Sequence, residues 1–271
     1  MNPEGKWQLS GDAPEIYDRQ IVPAMLGPLA APLIEKAAVQ PGERVLDIAC
    51  GTGIVARTAA QAAGPTGRVT GLDINEGMLA VAVTRPPSAE APMAWLRASA
   101  QDLPFLNASF NTALSSQGFQ FFPDQPGALR EIRRVLMPGG RLVLNVVRSL
   151  KFNPVHALLV EALERHVGPE AADILRSGYT LGDADDLRTL IAGAKFHGVE
   201  THTTEVWARF PSSESYLRWH ISGSPMAGPV ARVDPAARNR FLDEMTESLR
   251  PYLDDEGLTF PLQTNVGVGF R

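Results

Sequence analysis

A glycine-spaced turn follows a short apolar segment and has the composition of a ligand-binding loop. The stretch VLDIACGTG, residues 45–53, carries an acid at Asp47 and glycines at Gly51 and Gly53. Glycine lets the backbone approach a ligand closely because it has no Cβ. The next residues have helical spacing, so the first N–H groups of a helix would face an anionic group held by the loop. The pattern therefore predicts a cofactor site at this turn.

Two cofactor classes place such a loop between a first strand and a first helix. A nicotinamide dinucleotide fits in part, because Gly51, Gly53 and Ala56 satisfy G-x-G-x-x-A and Asp73 lies 20 residues after Gly53. However, the motif begins only after some 44 residues of helical sequence, and no tyrosine has a lysine four residues later. An NAD(P)-dependent oxidoreductase stays an alternative on this pattern.

Five segments in order resemble the signatures of class I S-adenosylmethionine-dependent methyltransferases. They are LDIACGTG (46–53), GLDINEGML (71–79), ASAQDLPF (98–105), LSSQGFQFFPD (114–124) and LMPGGRLVL (136–144). Their order and spacing are similar to the small-molecule branch related to the ubiquinone/menaquinone biosynthesis methyltransferases, and the resemblance covers residues 40–148. It implies S-adenosylmethionine as the methyl donor, S-adenosylhomocysteine as the product, and a small-molecule acceptor.

The resemblance also implies which residue holds which part of the cofactor. Asp47 would take the ammonium group of the methionine tail, and Asp73 the ribose hydroxyls. Asp102 would accept from the adenine amino group, with Ile74 and Met78 on one face of the ring and Leu103 on the other. Ser116 and Gln117 would lie nearest the donated methyl group. The implied cofactor-binding residues are Tyr17, Asp47, Ala49, Gly51, Thr52, Gly53, Asp73, Ile74, Met78, Gln101, Asp102, Leu103, Ser116 and Gln117.

The acceptor site has fewer sequence signals. A phenol, an enol or a carbon acid needs a base, and histidine is the side chain best suited to that role. His220 is the first candidate base and His156 the second; the other histidines, in polar contexts, are predicted to be solvated. The aromatic segment around His220, with Tyr216, Trp219 and Met226, suits either a planar acceptor or the core of an insertion. The sequence shows no group of converging carboxylates, so no metal site is predicted.

The elements around these residues alternate in type from residue 44 onward. Strand-like segments separated by helical ones predict a Rossmann-like, doubly wound, mostly parallel seven-stranded sheet with helical insertions that form a cap. Asp12 predicts a helix cap before two or three short N-terminal helices, PGG at 138–140 a helix stop and turn, and Pro261 an edge strand or a strand start. One domain is predicted over 1–271, with N-terminal helices or a lid at 1–40, a cofactor-binding core at 41–148, and the remaining strands with insertions at 149–271, including an acceptor cap at about 211–257.

Charge and composition indicate which binding partners and which cellular location the sequence favours. The net charge is −5 and no run of Lys or Arg exceeds a pair, which argues against a nucleic-acid substrate. The single cysteine, Cys50, and the lack of a secretory signal or a long apolar run predict a cytoplasmic protein without membrane insertion. A homodimer is possible. A protein that binds the cofactor without transferring a methyl group would have the same cofactor residues, so that alternative also stays open.

Overall fold

The computed structural model of the chain describes residues 8–85 and 91–271. Its strands are β1 (Arg44–Ile48), β2 (Arg68–Asp73), β3 (Met93–Arg97), β4 (Phe110–Ser116), β5 (Leu136–Val147), β6 (His197–Phe210), β7 (Leu253–Asp254) and β8 (Gly257–Phe270). Its α-helices are α1 (Ala13–Ile16), α2 (Ala30–Ala37), α3 (Ile54–Ala63), α4 (Glu76–Thr84), α5 (Gln125–Val135), α6 (Pro154–His166), α7 (Pro169–Ser177), α8 (Ala184–Gly193), α9 (Ser213–Ser222), α10 (Ala227–Arg232) and α11 (Pro235–Ser248).

One sheet with the strand order β3-β2-β1-β4-β5-β8-β6 forms the centre of the fold. Neighbours from β3 to β5 are parallel, whereas β8 is antiparallel to both β5 and β6. The order reverses between β1 and β4, so their carboxyl ends flank a crevice that suits a ligand. The predicted doubly wound, mostly parallel sheet is confirmed. The two-residue strand β7, which pairs with β8, is additional to the seven predicted strands.

Two predictions about strand ends need correction. Pro261 does not mark an edge strand, because β8 lies between β5 and β6. Pairing of β8 with β5 begins only at Thr264, so at Pro261 the one paired strand is β6, and a missing N–H is tolerated there. The PGG turn does follow the end of α5, but it lies inside β5, where the pairing with β4 shifts register between Phe110 and Thr112.

The N-terminal segment is one nearly continuous run of helical turns. A π-helix, Tyr17–Leu26, joins α1 to a 3₁₀ turn and α2. Pro23 lies within this π-helix; a proline donates no N–H and crowds the preceding turn of an α-helix, so a wider turn suits it. Asp12 precedes α1 but its side chain caps no N–H, so the predicted side-chain cap is wrong. Asn75 Nδ2 donates to the Leu9 carbonyl at 3.1 Å and ties this segment to α4.

Helix α8 packs on β6, β8 and α5, whereas the other helices after β5 and the N-terminal helices bury their apolar sides together. Their shared apolar cluster contains Met25, Leu159, Phe241 and Phe260. Helix α7 was not predicted from the sequence, and it packs mainly on α6. Aspartate and serine caps begin several helices, as at Asp183, whose side chain accepts from the N–H of Asp185 at 2.7 Å. Within the described residues, no helix is both long and apolar enough to cross a membrane.

Candidate functional site

A cavity of about 450 Å³ opens at the carboxyl ends of the parallel strands. Its walls come from the N-terminal helices, from the loops after β1, β2 and β4, and from the helical layer after β5. A smaller cavity of about 30 Å³ adjoins it and shares Tyr17, Gly51 and Gln117 with it. This is the edge of the sheet where open α/β folds bind ligands. The cavity therefore joins the glycine loop to the helical layer.

Asp73 fixes the conformation of the glycine loop. The backbone N–H of Gly51 donates to Asp73 Oδ2 and that of Asn75 donates to Oδ1, both at 2.8 Å. Burial raises the pKa of the Asp73 carboxyl, and these two amide bonds oppose the shift. Asp73 also lines the large cavity. Its carboxylate thus holds the loop against β2 and keeps lone pairs available for ligand hydroxyls.

Asp47, at the end of β1, is a buried acid without a partner. It is 1% exposed and lines the smaller cavity, and neither carboxylate oxygen has a hydrogen-bond partner among the described residues. Burial raises its pKa to about 8 and the charge of Asp73 adds to the shift, while the dipole of the nearby Ala56 N–H in the first turn of α3 and the charge of Arg57 oppose it. A buried carboxylate is costly unless it is paired. The smaller cavity therefore suits a cationic group.

Two histidines meet at the other end of the large cavity. His156 on α6 and His220 on α9 have ring centroids 5.4 Å apart. Tyr179, which follows α7, lies 5.7 Å from His156, and all three side chains line the cavity. Among the described residues, His156 Nδ1 and His220 Nε2 are buried without hydrogen-bond partners. Neither nitrogen is therefore committed to a protein partner in the described part of the chain.

Burial keeps both imidazoles neutral. It lowers the pKa of His220 to about 4. It also lowers the pKa of His156 well below its usual value, with the nearby His220 adding to the shift. Burial raises the pKa of Tyr179, so that phenol stays protonated. A neutral imidazole has a free lone pair, so this end of the cavity can accept a proton or a hydrogen bond.

Side-chain amides line the wall between the two ends. Asn145 Oδ1 accepts from Ser116 Oγ at 2.9 Å and from Gln117 Nε2 at 3.0 Å. Gln117 has a φ of +55° at the end of β4, a conformation that its hydrogen bonds to β5 support. We call the smaller cavity, which holds Asp47, the acidic pocket, and the part of the large cavity at His156 and His220 the histidine end. Ser116 and Gln117 line both cavities, so the end of β4 lies between the acidic pocket and the histidine end.

Comparison with known proteins identifies the family. The family model of the methyltransferase domain matches residues 46–144. The ubiquinone/menaquinone biosynthesis C-methyltransferase UbiE of Burkholderia vietnamiensis is 37% identical over 197 residues, which cover 72% of this chain and 76% of that protein. The chain belongs to the class I S-adenosylmethionine-dependent methyltransferases. The 2-phytyl-1,4-naphtoquinone methyltransferase of Synechococcus elongatus is 36% identical over 143 residues, 51% of this chain and 60% of that one.

Solved structures agree with this methyltransferase fold. The YcgJ protein of Bacillus subtilis has a TM-score of 0.58 at 17% identity, with 89% of this chain and 97% of that chain covered. The [4+2]-cyclase SpnF has a TM-score of 0.54 at 21% identity, with 90% and 80% covered. At such identities only the fold is shared. Family membership makes the protein an S-adenosylmethionine-dependent enzyme that methylates a small molecule, and nothing supports the oxidoreductase alternative.

The structure brings most of the sequence-predicted methyltransferase residues to the same cavity. Those that line the large cavity are Tyr17, Ala49, Gly51, Asp73, Ile74, Met78, Gln101, Ser116, Gln117, His156 and His220. Asp47 lies in the adjoining cavity. An unpartnered acid beside an open glycine fits the zwitterionic tail of the cofactor. The cofactor-binding roles of these residues stay proposals.

Four predicted residues lie off both cavities: Thr52, Gly53, Asp102 and Leu103. Asp102 is exposed, and Leu103 is buried in the core between β4 and α5. The Leu103 backbone is also in use, because its N–H donates to Glu131 Oε2 at 3.0 Å and its carbonyl accepts from Arg134. The predicted adenine contacts of Asp102 and Leu103 are therefore not supported; residues 98–101 line the wall instead.

The two loop glycines are required for different reasons. A Cβ at Gly51 would have Tyr17 Oη as its nearest atom, 3.8 Å away, so it would point into open space next to the cavity. A Cβ at Gly53 would lie 2.2 Å from the Trp95 ring. The prediction that Gly53 clears a path for the cofactor is therefore corrected: Gly53 makes room for Trp95.

Alanine substitutions distinguish these two reasons. Both glycines have positive φ, which costs about 1 kcal/mol with alanine. Overpacking against Trp95 adds about 1–3 kcal/mol, so Gly53→Ala should lower the free energy of unfolding by about 2–4 kcal/mol and Gly51→Ala by about 1 kcal/mol. Urea unfolding measures both values. Equal losses would contradict the assignment.

Other predictions for the acceptor region are also corrected. Tyr216 and Met226 are fully buried in the apolar cluster and Trp219 packs against it, so none of the three lines the cavity. His166 is not solvated, because its Nε2 lies 2.7 Å from Glu244 Oε2 and its side chain is 13% exposed. Of the two alternatives for the aromatic segment, the core of an insertion is correct for Tyr216, Trp219 and Met226, whereas His220 lines the cavity.

Three residues that form or support the cavity wall were not predicted from the sequence. Tyr179 and Gln120 line the cavity, and Asn145 holds Ser116 and Gln117. Asn145 is a polar residue within the apolar run of β5, which was a usable signal. Tyr179 and Gln120 have no such signal, because the tertiary packing of α7 and of the turn after β4 brings them to the wall.

Proposed function

We propose that the methyl acceptor is an uncharged hydroxylated aromatic or enolic molecule, and that His220, assisted by His156, takes the proton of its hydroxyl group. The observation that carries this proposal is the composition of the histidine end of the cavity. Asp73, at the loop end, is the only Asp, Glu, Lys or Arg among the described lining residues. The polar side chains at the histidine end are neutral, so this part of the wall offers no opposite charge to a carboxylate, a phosphate or an ammonium group.

The cofactor, when bound, supplies an electrophilic methyl group to the acceptor. The chain's own residues orient and protect that reaction. Asp47 and Asp73 are proposed to hold the methionine tail and the ribose, and Tyr17 and Leu26 line both cavities and so lie where the two adjoin. Residues 211–257, proposed as the acceptor cap, contribute His220, Gly223 and Ser224 to the wall. Positioning and exclusion of water then favour transfer.

A buried histidine with a low pKa can still serve as the base. The imidazolium form is disfavoured because the ring is buried away from water, and a bound phenolate or enolate would supply a compensating negative charge. Proton transfer from the hydroxyl to His220 makes an ion pair, and the resulting anion is the better nucleophile at oxygen or ring carbon. The quinone-related names of the relatives are consistent with such an acceptor.

Methyl-transfer assays with three acceptors test the proposal. Purified protein and S-adenosylmethionine would be incubated with 1,4-naphthoquinol, its 2-carboxylate derivative, or 1-naphthylmethylamine, and products followed by mass. We expect methylation of the uncharged quinol to exceed that of either charged ring. Preference for a charged acceptor would contradict the proposed class. Binding of S-adenosylhomocysteine without methylation of any of the three would likewise contradict the proposed acceptor class. A cytoplasmic location, the exclusion of nucleic acid and a homodimer stay predictions.

A further inference from the structure

Gln120 is a polar residue on the cavity wall that neither the proposed cofactor contacts nor the proposed base explains. It lies in the 3₁₀ turn Phe119–Phe121 after β4 and is 7% exposed. Gln120 lines the large cavity, and its Oε1 atom is buried without a hydrogen-bond partner among the described residues. A buried acceptor left unpaired costs free energy, so it is expected to meet a donor when the cavity is filled.

A chain of hydrogen bonds fixes which atom of the Gln120 amide is free. The backbone N–H of Val147 donates to Gln117 Oε1 at 3.1 Å, which identifies that atom as oxygen. Gln117 Nε2 consequently faces Asn145 Oδ1 at 3.0 Å. Gln120 Nε2 donates to Gln117 Oε1 at 3.3 Å. A flipped Gln120 would set two oxygens against each other, so the unpartnered atom is its carbonyl oxygen.

The surroundings of Gln120 decide what kind of donor it can bind. Phe121, Phe122 and Val147 are apolar neighbours on the same wall. A neutral amide oxygen in such a setting accepts from a neutral hydroxyl or N–H and does not attract a carboxylate. We propose that Gln120 Oε1 accepts a hydrogen bond from a hydroxyl group of the methyl acceptor, so that the site binds the free hydroxyl compound more tightly than its methyl ether. This inference rests on the proposed acceptor class.

The expected selectivity follows from what the ether lacks. A methyl ether cannot donate, so it would leave Gln120 Oε1 buried and unpaired and would add a methyl group beside it. The loss of one such bond with an orphaned acceptor corresponds to about 10- to 100-fold in affinity. Gln120 is therefore a specificity-determining residue, distinct from the proposed base.

Binding of two matched probes tests the role of Gln120. The full chain, saturated with S-adenosylhomocysteine, would be titrated with 2-naphthol and with 2-methoxynaphthalene. The wild type should prefer the naphthol by at least about tenfold, and Gln120→Met should reduce that preference to within about threefold. Gln125→Met is the matched control, because Gln125 Nε2 donates to the Phe119 and Gln120 backbone carbonyls and its side chain lies off the cavity wall. It should keep the wild-type preference.

Each outcome separates the role of Gln120 from the proposed reaction. Equal affinity of the wild type for the two probes would overturn the role of Gln120, and so would a preference that survives in Gln120→Met. S-adenosylhomocysteine affinity, measured for every variant, shows that the site is still folded; if Gln120→Met loses it, Gln120→Leu takes its place. A naphthol preference in a protein that methylates none of the three assayed rings would sink the proposed function and leave the hydroxyl contact standing.

Discussion

Replacing His220 by glutamine should lower kcat for methylation of 1,4-naphthoquinol by about 10²-fold, the lower end of the usual contribution of a positioned base. Glutamine keeps a polar side chain of similar size but cannot take a proton. Because His156 lies 5.4 Å from His220 by ring centroids, it can take over part of the role, so the double variant with His156→Gln should lose more than either single change. Steady-state kinetics with saturating cofactor measures these losses.

The pH dependence gives an independent test of the same base. His220 has a pKa of about 4, so it is already unprotonated at neutral pH and kcat should not change between about pH 6 and 8 through this group. A step near pH 6.5 that disappears in His220→Gln would instead show an ordinary solvated imidazole. The free energy of unfolding should fall as the pH drops from about 6.5 toward 4. In that range the histidines of the unfolded chain bind protons, whereas the buried imidazoles of the folded protein stay neutral.

A surface histidine is the control for these variants. His202 has a side chain 41% exposed, pairs with Glu200 and does not line the cavity. His202→Gln should leave kcat, its pH profile and the affinity for S-adenosylhomocysteine unchanged. If His220→Gln behaves like this control, the base assignment is wrong, and the hydroxyl proton leaves by another route.

The sheet was predictable because its signals are local. Apolar runs such as RVLDI and RVTGLD carry an acid at or one residue before their end and are followed by helical spacing, so β1, β2 and the helices after them could be placed from the sequence. Asp47 and Asp73 then fall at the carboxyl ends of adjacent parallel strands. That geometry follows from the βαβ pattern alone.

The acceptor end was less predictable because its residues come together only through tertiary packing. His156 and His220 were candidate bases singly, but their proximity depends on how α6 and α9 pack, which no spacing indicates. The position of Asp102 off the cavity wall could not be predicted, because a motif letter does not say which way a loop side chain points. In the structure, Glu131 and Arg134 bind the backbone at Leu103 and leave Asp102 exposed.

Asp47 should make cofactor affinity depend on pH. Its pKa is about 8 in the unliganded protein, so most of the carboxyl is protonated at pH 6. If it pairs with the ammonium group of the methionine tail, only the ionised form binds well. Affinity for S-adenosylhomocysteine should then rise up to tenfold for each pH unit between about 6 and 7 and level off above about 8. Calorimetry in two buffers of different ionisation enthalpy should show release of a proton on binding at pH 7.

Asp47→Asn should weaken cofactor binding and remove most of its pH dependence. Loss of a buried charge pair costs about 2–5 kcal/mol, so affinity at pH 8 should fall by about 30-fold or more and its pH dependence should flatten. Asp102→Asn, an exposed carboxylate off the cavity wall, is the matched control and should do neither. If the Asp102 variant weakens binding and the Asp47 variant does not, the acidic pocket does not hold the methionine tail.

The same substitution should stabilise the unliganded protein. Because the folded-state pKa of Asp47 lies above that of the unfolded chain, the unfolded state loses its proton first, and stability falls as the pH rises from about 4 to about 8. Asparagine has no proton to lose. The melting temperature of Asp47→Asn should therefore exceed that of the wild type at pH 8, and the gap should narrow at pH 5. A variant that binds the cofactor worse but melts higher would mark Asp47 as an acid kept for its ligand at the expense of stability.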